Sequence, residues 1–308
     1  MPKPIPTEIW QQFVPLLAEE VSRPDEEHPT VRVWKDTELI SVINGVARAN
    51  RTELKTTFPP GNAVLEQMER TGWLRRLPLE ENVTGRTLFL MDQEAAKDEG
   101  VDPLELLQAV LPLGVISFFG AICFHELTSQ MPAFFHIGRL VDGHPPESVT
   151  PAELKERNPL GTDLFEFDGV RCYETKRYRG LAPGVQMRVI GPRTCYRITT
   201  LEQTLLDAIL QPLRCGGEAV VFEAWEHVAE RVDFDRMAEH LRAIGRDSLL
   251  RRVGAMLEMT GIEVQDGSIL CELLTTVKGK PGNKDQMISL LPGLHYGQTA
   301  ANWGVLIP

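Results

Sequence analysis

No stretch of this 308-residue sequence reaches the ~18 consecutive apolar residues that a membrane-spanning helix needs. The longest, residues 115–124, is interrupted by Ser117 and Gly120. Residues 1–6 carry one lysine and no apolar segment, so no secretory leader is expected. Cysteine is scarce: Cys123, Cys172, Cys195, Cys215 and Cys271 lie far apart with no C-x-x-C pair. An odd, scattered set of this kind is expected to stay reduced and mostly buried, which suits the cytoplasm. No G-x-G-x-x-G or Walker lysine motif is present, and residues 279–284 have glycines and lysines at the wrong spacing. His125-Glu126 opens like a zincin helix, but Ser129 stands where the second histidine belongs, so His125 is expected to be a satisfied, partly buried residue. Positive charge is short as well. With 32 Lys and Arg against 43 Asp and Glu the net charge is −11, which argues against a chain coated in nucleic acid. No cofactor or metal is expected.

What is present is globular in composition, 43% hydrophobic and 24% charged, with length for two domains. Charge is unevenly spread. Residues 1–30 hold two basic and six acidic side chains, and residues 48–86 hold seven basic and five acidic. Residues 171–197 carry Arg171, Lys176, Arg177, Arg179, Arg188, Arg193 and Arg197 against Glu174 alone.

The apolar spacing predicts a helix over residues 7–20 and then an acidic, proline-containing link, so residues 1–30 read as an N-terminal extension. Leu39, Val42, Ile43 and Val46 predict a helix over residues 36–49, and a second, short one fits residues 51–57. A third runs from Asn62 to Thr71 with Val64, Leu65 and Met68 inward. Two strands, residues 73–77 and 87–91, flank a turn-rich loop with Asn82 and Gly85. Three short helices and a hairpin make a winged helix-turn-helix over residues 31–93. Its outward side chains would be Asn62, Gln67 and Arg70, with Arg75 and Arg76 at the start of the wing. Amides read adenine edges, and arginine reads guanine or holds phosphate.

Residues 98–103 form an acidic hinge, which places a second domain at residues 101–308. A helix is expected over residues 102–111, then a buried helix capped by Ser117 and running towards Leu127, then a strand over residues 133–138. Residues 164–198 alternate apolar and charged, which predicts a mostly antiparallel sheet with one wet face carrying the arginines. Thr200 with Gln203 or Thr199 with Glu202 forms a capping box for the next helix. Helices over residues 217–231, 235–244 and 247–260 follow, and a strand around residues 303–307 closes the chain. The fold class is therefore α+β: a winged helix-turn-helix, then a larger α/β domain ending in a helical group.

Asp163, followed by Glu174-Thr175-Lys176, has the spacing of PD-(D/E)xK nucleases, in which an acidic pair holds Mg²⁺ and a lysine assists. The same pattern arises from charges on the wet face of a sheet. A Mg-dependent nuclease with a winged-helix targeting domain stays open as an alternative, as does a plain ligand-sensing regulator.

Three stretches carry a family resemblance: LEQMERTGWLRRL (residues 65–77), ISFFGAICFHEL (116–127) and YRITTLEQTLLD (196–207) before Cys215-Gly216-Gly217. Collinear over residues 36–262, they resemble the AbiEi family, the antitoxin and repressor half of abortive-infection toxin–antitoxin pairs. Glu126 departs from the small residue that commonly precedes the closing leucine. The resemblance implies a non-enzymatic protein that binds repeats in its own promoter as double-stranded DNA. It also implies a C-terminal domain that counters a nucleotidyltransferase-type toxin, with direct contact left open, and no membrane partner.

Overall fold

The computed structural model describes residues 5–22, 24–54, 61–82, 84–91, 100–143, 160–228, 230–279 and 287–308, without the side chains of residues 52 and 53. Residues 55–57 of the second expected helix, 98–99 of the hinge, residue 229 and residues 280–284 lie outside the described residues. The chain divides into two compact units. The first is Met1–Gly114 with two later excursions, Leu164–Gly169 and Met187–Arg197, and the second is the remainder.

In the first unit α1 (Thr7–Glu20) buries Phe13 and Leu17. Strand β1 (Val33–Lys35) leads into α2 (Asp36–Ala49), then α3 (Arg51–Leu54), α4 (Gly61–Arg70), β2 (Leu74–Arg76) and β3 (Leu88–Met91). The three strands form an antiparallel sheet of order β1-β3-β2, with Arg75 opposite Leu90 and Arg76 opposite Phe89. Residues 1–30 are not a detached extension. Ile5, Phe13, Leu17 and Val21 share one apolar core with Leu39, Ile43, Val46 and Leu65, because α1 has an apolar stripe too wide to leave in water.

The boundary also moves. Helix α5 (Pro103–Val110), capped by the Asp102 carboxylate accepting from the Leu104 amide, belongs to the first unit. Its Glu105 is buried and accepts hydrogen bonds from Thr30 (2.9 Å) and Thr194 (2.7 Å). The Gln108 side chain accepts from the Arg197 amide at 2.9 Å. A carboxylate this buried must be hydrogen-bonded, and its partners lie on either side of it in sequence. The compact cut therefore falls between Gly114 and Val115 rather than at the acidic hinge.

The second unit opens with β4 (Val115–Ser117) and α6 (Phe119–Phe124). Ser117 does not cap that helix: its hydroxyl donates to the Val115 carbonyl, and Phe118 takes the capping position with φ 58° and ψ −129°. That backbone conformation costs a non-glycine residue ~1–3 kcal/mol. Antiparallel pairing predominates but is not universal. β4 is antiparallel to β5 (Phe134–Val141), β5 runs parallel to β7 (Val170–Tyr178), and Ile116 of β4 lies in parallel register with Ile198 of β9 (Thr194–Thr199).

The helical group is α7 (Leu201–Leu210), α8 (Glu218–Glu226), α9 (Phe234–Ile244), α10 (Asp247–Thr260) and α11 (Ile269–Val277). The Thr200 hydroxyl accepts from the Gln203 amide at the start of α7, as its sequence demands, and Gly261 ends α10 in the left-handed conformation. Trp225, Leu205, Leu206, Val253 and Met256 centre the core of this unit. Gly254 sits where a Cβ would run into the ring of Trp303, so the tail and α10 approach closely. The tail forms a small sheet of β10 (Ile288–Ser289), β11 (Gln298–Ala300) and β12 (Val305–Ile307). No helix among the described residues is long and apolar enough to cross a membrane.

Candidate nucleic-acid interface

Helix α4 begins at a buried glycine. A Cβ at Gly61 would lie 2.8 Å from Ile40 Cγ2 and 3.2 Å from Asn44 Oδ1, so only glycine lets α4 start this close to α2. Val64, Leu65 and Met68 then face the core, and the 100° step per residue turns Asn62, Gln67 and Arg70 to the other side. Asn62 and Arg70 are exposed and Gln67 is half-buried. Arg75 and Arg76 on β2 are both exposed.

Two of these arginines already have partners. Arg70 pairs with Glu66 at 3.8 Å, one turn back on the same helix. Arg76 reaches Glu69 at 3.3 Å and lies over the Phe89 ring at 5.5 Å, which ties the hairpin to α4. Exposed ion pairs of this kind contribute only ~0–1 kcal/mol, so exchanging them for a phosphate costs little. The loop from β2 to β3 is shaped by Asn82, whose Oδ1 accepts from the Thr84 amide (3.1 Å) and whose amide donates to the Arg86 carbonyl (2.7 Å). The Arg86 guanidinium donates to Thr37 Oγ1 at 3.1 Å, at the N-terminal end of α2. In the sequence Arg86 carries no signal beyond its place beside the turn glycine Gly85.

The arginine-rich stretch does not form the single wet face its composition suggests. Arg188, Arg193 and Arg197 belong to the first unit, and Arg171, Lys176, Arg177 and Arg179 to the second. Lys176 and Arg188 are exposed, Arg171 and Arg197 half-buried, and Arg179 pairs with Asp142 at 2.9 Å. Arg193 donates to the backbone carbonyls of Val31 (2.9 Å) and Met91 (3.4 Å).

Arg177 is the clearest departure. It is buried, donates to both carboxylate oxygens of Asp207 (2.6 and 2.9 Å) and covers the Phe118 ring at 4.9 Å. Strand alternation puts Arg177 on the same side as buried Tyr173 and Thr175, and Glu174 and Lys176 on the other. A Cβ at Gly138 would lie 2.8 Å from Arg177 Cγ, so that glycine makes room for the arginine stem.

The nuclease pattern falls on two neighbouring strands of one sheet, with its glutamate held in an ion pair. Asp163 is exposed on β6 (Thr162–Phe167), Lys176 is exposed, and the Glu174 carboxylate is engaged by Arg139 at 2.6 Å. Among the described residues no three His, Cys, Asp or Glu side chains group as metal ligands would. His125 is buried with Nε2 2.8 Å from the Thr199 carbonyl, and Ser129 donates from its amide and hydroxyl to Glu223. None of the five cysteines is in a disulfide; Cys172 and Cys215 are buried and the other three half-buried.

His136, on β5 opposite Ser117, is buried in an aromatic box of Phe118, Phe134 and Tyr173 at 5.4–5.5 Å between ring centres. Burial, then the Arg214 guanidinium, lowers its pKa from 6.5 to about 3, against a backbone hydrogen bond with Leu160. A base depressed in the folded state stabilises fully above its unfolded pKa. That contribution is lost as pH falls from 6.5 towards 3, by at most ~1.4 kcal/mol per pH unit. His136→Phe is expected to lose less melting temperature than wild type between pH 7 and pH 4.5. Equal acid sensitivity of the two proteins, in thermal melts at both pH values, refutes that role.

No family model matches this chain, and no curated protein does. Among solved structures, the crystal structure of the RV2827C protein from Mycobacterium tuberculosis is similar, with a TM-score of 0.52 and 17% identity over 99% of this chain and 92% of that one. At that identity the likeness is one of fold.

Proposed function

We propose that this chain is a non-enzymatic, sequence-specific DNA-binding repressor whose α2, α3, α4 and β2–β3 hairpin act as a winged helix-turn-helix on its own promoter. The observation that carries this reading is the outward face of α4. Its buried stripe of Val64, Leu65 and Met68 leaves Asn62, Gln67 and Arg70 together on the side that a major groove would meet. Arg75 and Arg76 are exposed on the two faces of the adjoining strand β2 and add positive charge beside α4. The test is binding of the full chain to its upstream DNA and to random duplex. Asn62→Ala or Gln67→Ala is expected to erode discrimination by ~1–3 kcal/mol for each bidentate base contact removed, roughly 5- to 150-fold. Unchanged discrimination in both variants removes α4 from the site.

The second unit, in the same proposal, counters a nucleotidyltransferase-type toxin encoded alongside, the cytoplasmic antitoxin role that the AbiEi resemblance implies. Co-expression of the full chain with the neighbouring open reading frame is expected to restore growth. Full toxicity at comparable expression of a folded protein sinks the antitoxin half of the proposal. The full chain is the right reagent, since a fragment of residues 101–308 would strip α5 from the unit it packs in.

A further inference from the structure

Strand β8 (Val185–Gly191) is an open sheet edge: among the described strands it pairs with β9 alone. An open edge presents unpaired backbone N–H and C=O groups, and proteins usually blunt it with charge, proline, a bulge or a covering segment. β6 is treated that way, because Glu166 exchanges two backbone hydrogen bonds with Glu80 at 2.7 and 2.8 Å. β8 is not. Met187, Val189 and Ile190 are 39%, 77% and 46% exposed, so apolar side chains stand in solvent on both faces of the strand.

Residues 185–197 also hold Arg188, Arg193 and Arg197 and no acid. That charge decides between occupants. A second copy would bring one cationic hairpin against another. A nucleic acid would satisfy Arg188 but leave Val189 and Ile190 facing phosphate. We propose that β8 is a docking edge for an extended, acidic segment of another protein, which adds to it as a further strand with acidic and apolar residues alternating. Backbone hydrogen bonds along the edge give affinity, and Arg188 with the exposed apolar side chains gives selectivity. The proposal does not depend on DNA binding by α4.

The test uses the full-length protein and two labelled nine-residue peptides, one alternating glutamate with valine and one alternating lysine with valine, followed by fluorescence anisotropy. The glutamate peptide is expected to bind at least tenfold more tightly, and Arg188→Glu to reverse the preference. In a hairpin closed by the two-residue turn Pro192-Arg193 the residues flanking the turn bond to each other, so the backbone of Ile190 faces the open side. Ile190→Pro is therefore expected to weaken the glutamate peptide at least tenfold with an unchanged melting curve. Should that variant melt early, the Arg188→Glu reversal decides alone. Equal binding of both peptides, or indifference to Arg188→Glu, overturns the proposal. So does displacement of the peptide by a short DNA duplex, or a dimer in sedimentation equilibrium that Val189→Glu dissolves.

Discussion

Asp207→Ala is expected to be the most damaging single change in the second unit, with a loss of ~3–5 kcal/mol. The substitution leaves the Arg177 guanidinium buried over the Phe118 ring without its carboxylate. Arg214 also lies over Phe118, at 5.5 Å, so a second cation adds repulsion once Asp207 is gone. Gln203 would lose its 2.9 Å bond to Asp207 as well. For a unit of this size the expected fall in melting temperature is about 6–20 °C. Desolvating an ion pair offsets most of its attraction, so the pair as a whole contributes far less than either deletion suggests. The double variant Arg177→Met with Asp207→Leu is accordingly expected to be more stable than either single change. Urea denaturation of Asp207→Ala, of the two single changes Arg177→Met and Asp207→Leu, and of the double variant decides it. A loss below 1 kcal/mol in Asp207→Ala means that the pair is not a closed, buried unit.

Arg75→Ala with Arg76→Ala is expected to give the largest loss of DNA affinity. Each phosphate contact contributes about 0.9 to the slope of log K against log salt, so two contacts reduce the slope by about 1.8. Between 50 and 200 mM salt that difference is roughly tenfold in affinity. The two positions should not contribute equally. Arg76 must first release Glu69 and its place over Phe89, while Arg75 projects from the other face of β2 and is exposed. Arg75→Ala alone is therefore expected to weaken binding more than Arg76→Ala alone. Fluorescence anisotropy with operator-length duplex across a salt series measures both quantities. A slope unchanged in the double variant excludes the wing from the phosphate contacts.

What the sequence determined by itself is whatever local periodicity encodes. The stripe Leu249, Leu250, Val253, Met256 and Leu257, closed by Gly261, specifies α10 without reference to the rest of the chain. Thr200 with Gln203 marks the start of α7, and Val64, Leu65 and Met68 fix which side of α4 is left for Asn62, Gln67 and Arg70. These features rest on contacts three or four residues apart, so a helical window captures them.

Tertiary structure decided everything that rests on a distant partner. Arg177 reads as one more surface cation until Asp207, thirty residues on, neutralises it. Its strand parity with Tyr173 was a visible hint, but burying a charge is permitted only by a partner that no local pattern names. The acidic stretch near Gly100 looked like a boundary, yet Glu105 is pinned by Thr30 and Thr194, 75 and 89 residues away, and carries α5 into the first unit. Residues 1–30 looked like an appendage because their acidic link is polar, whereas Phe13 and Leu17 close the same core as Leu39 and Ile43. Phe118 keeps its strained backbone where Arg177 and Arg214 lie over its ring and His136 packs edge-on against it, three contacts made by distant residues. Helix and strand are local choices of the chain, while the burial of charge and the edge of a unit are set by residues that meet only after it has folded.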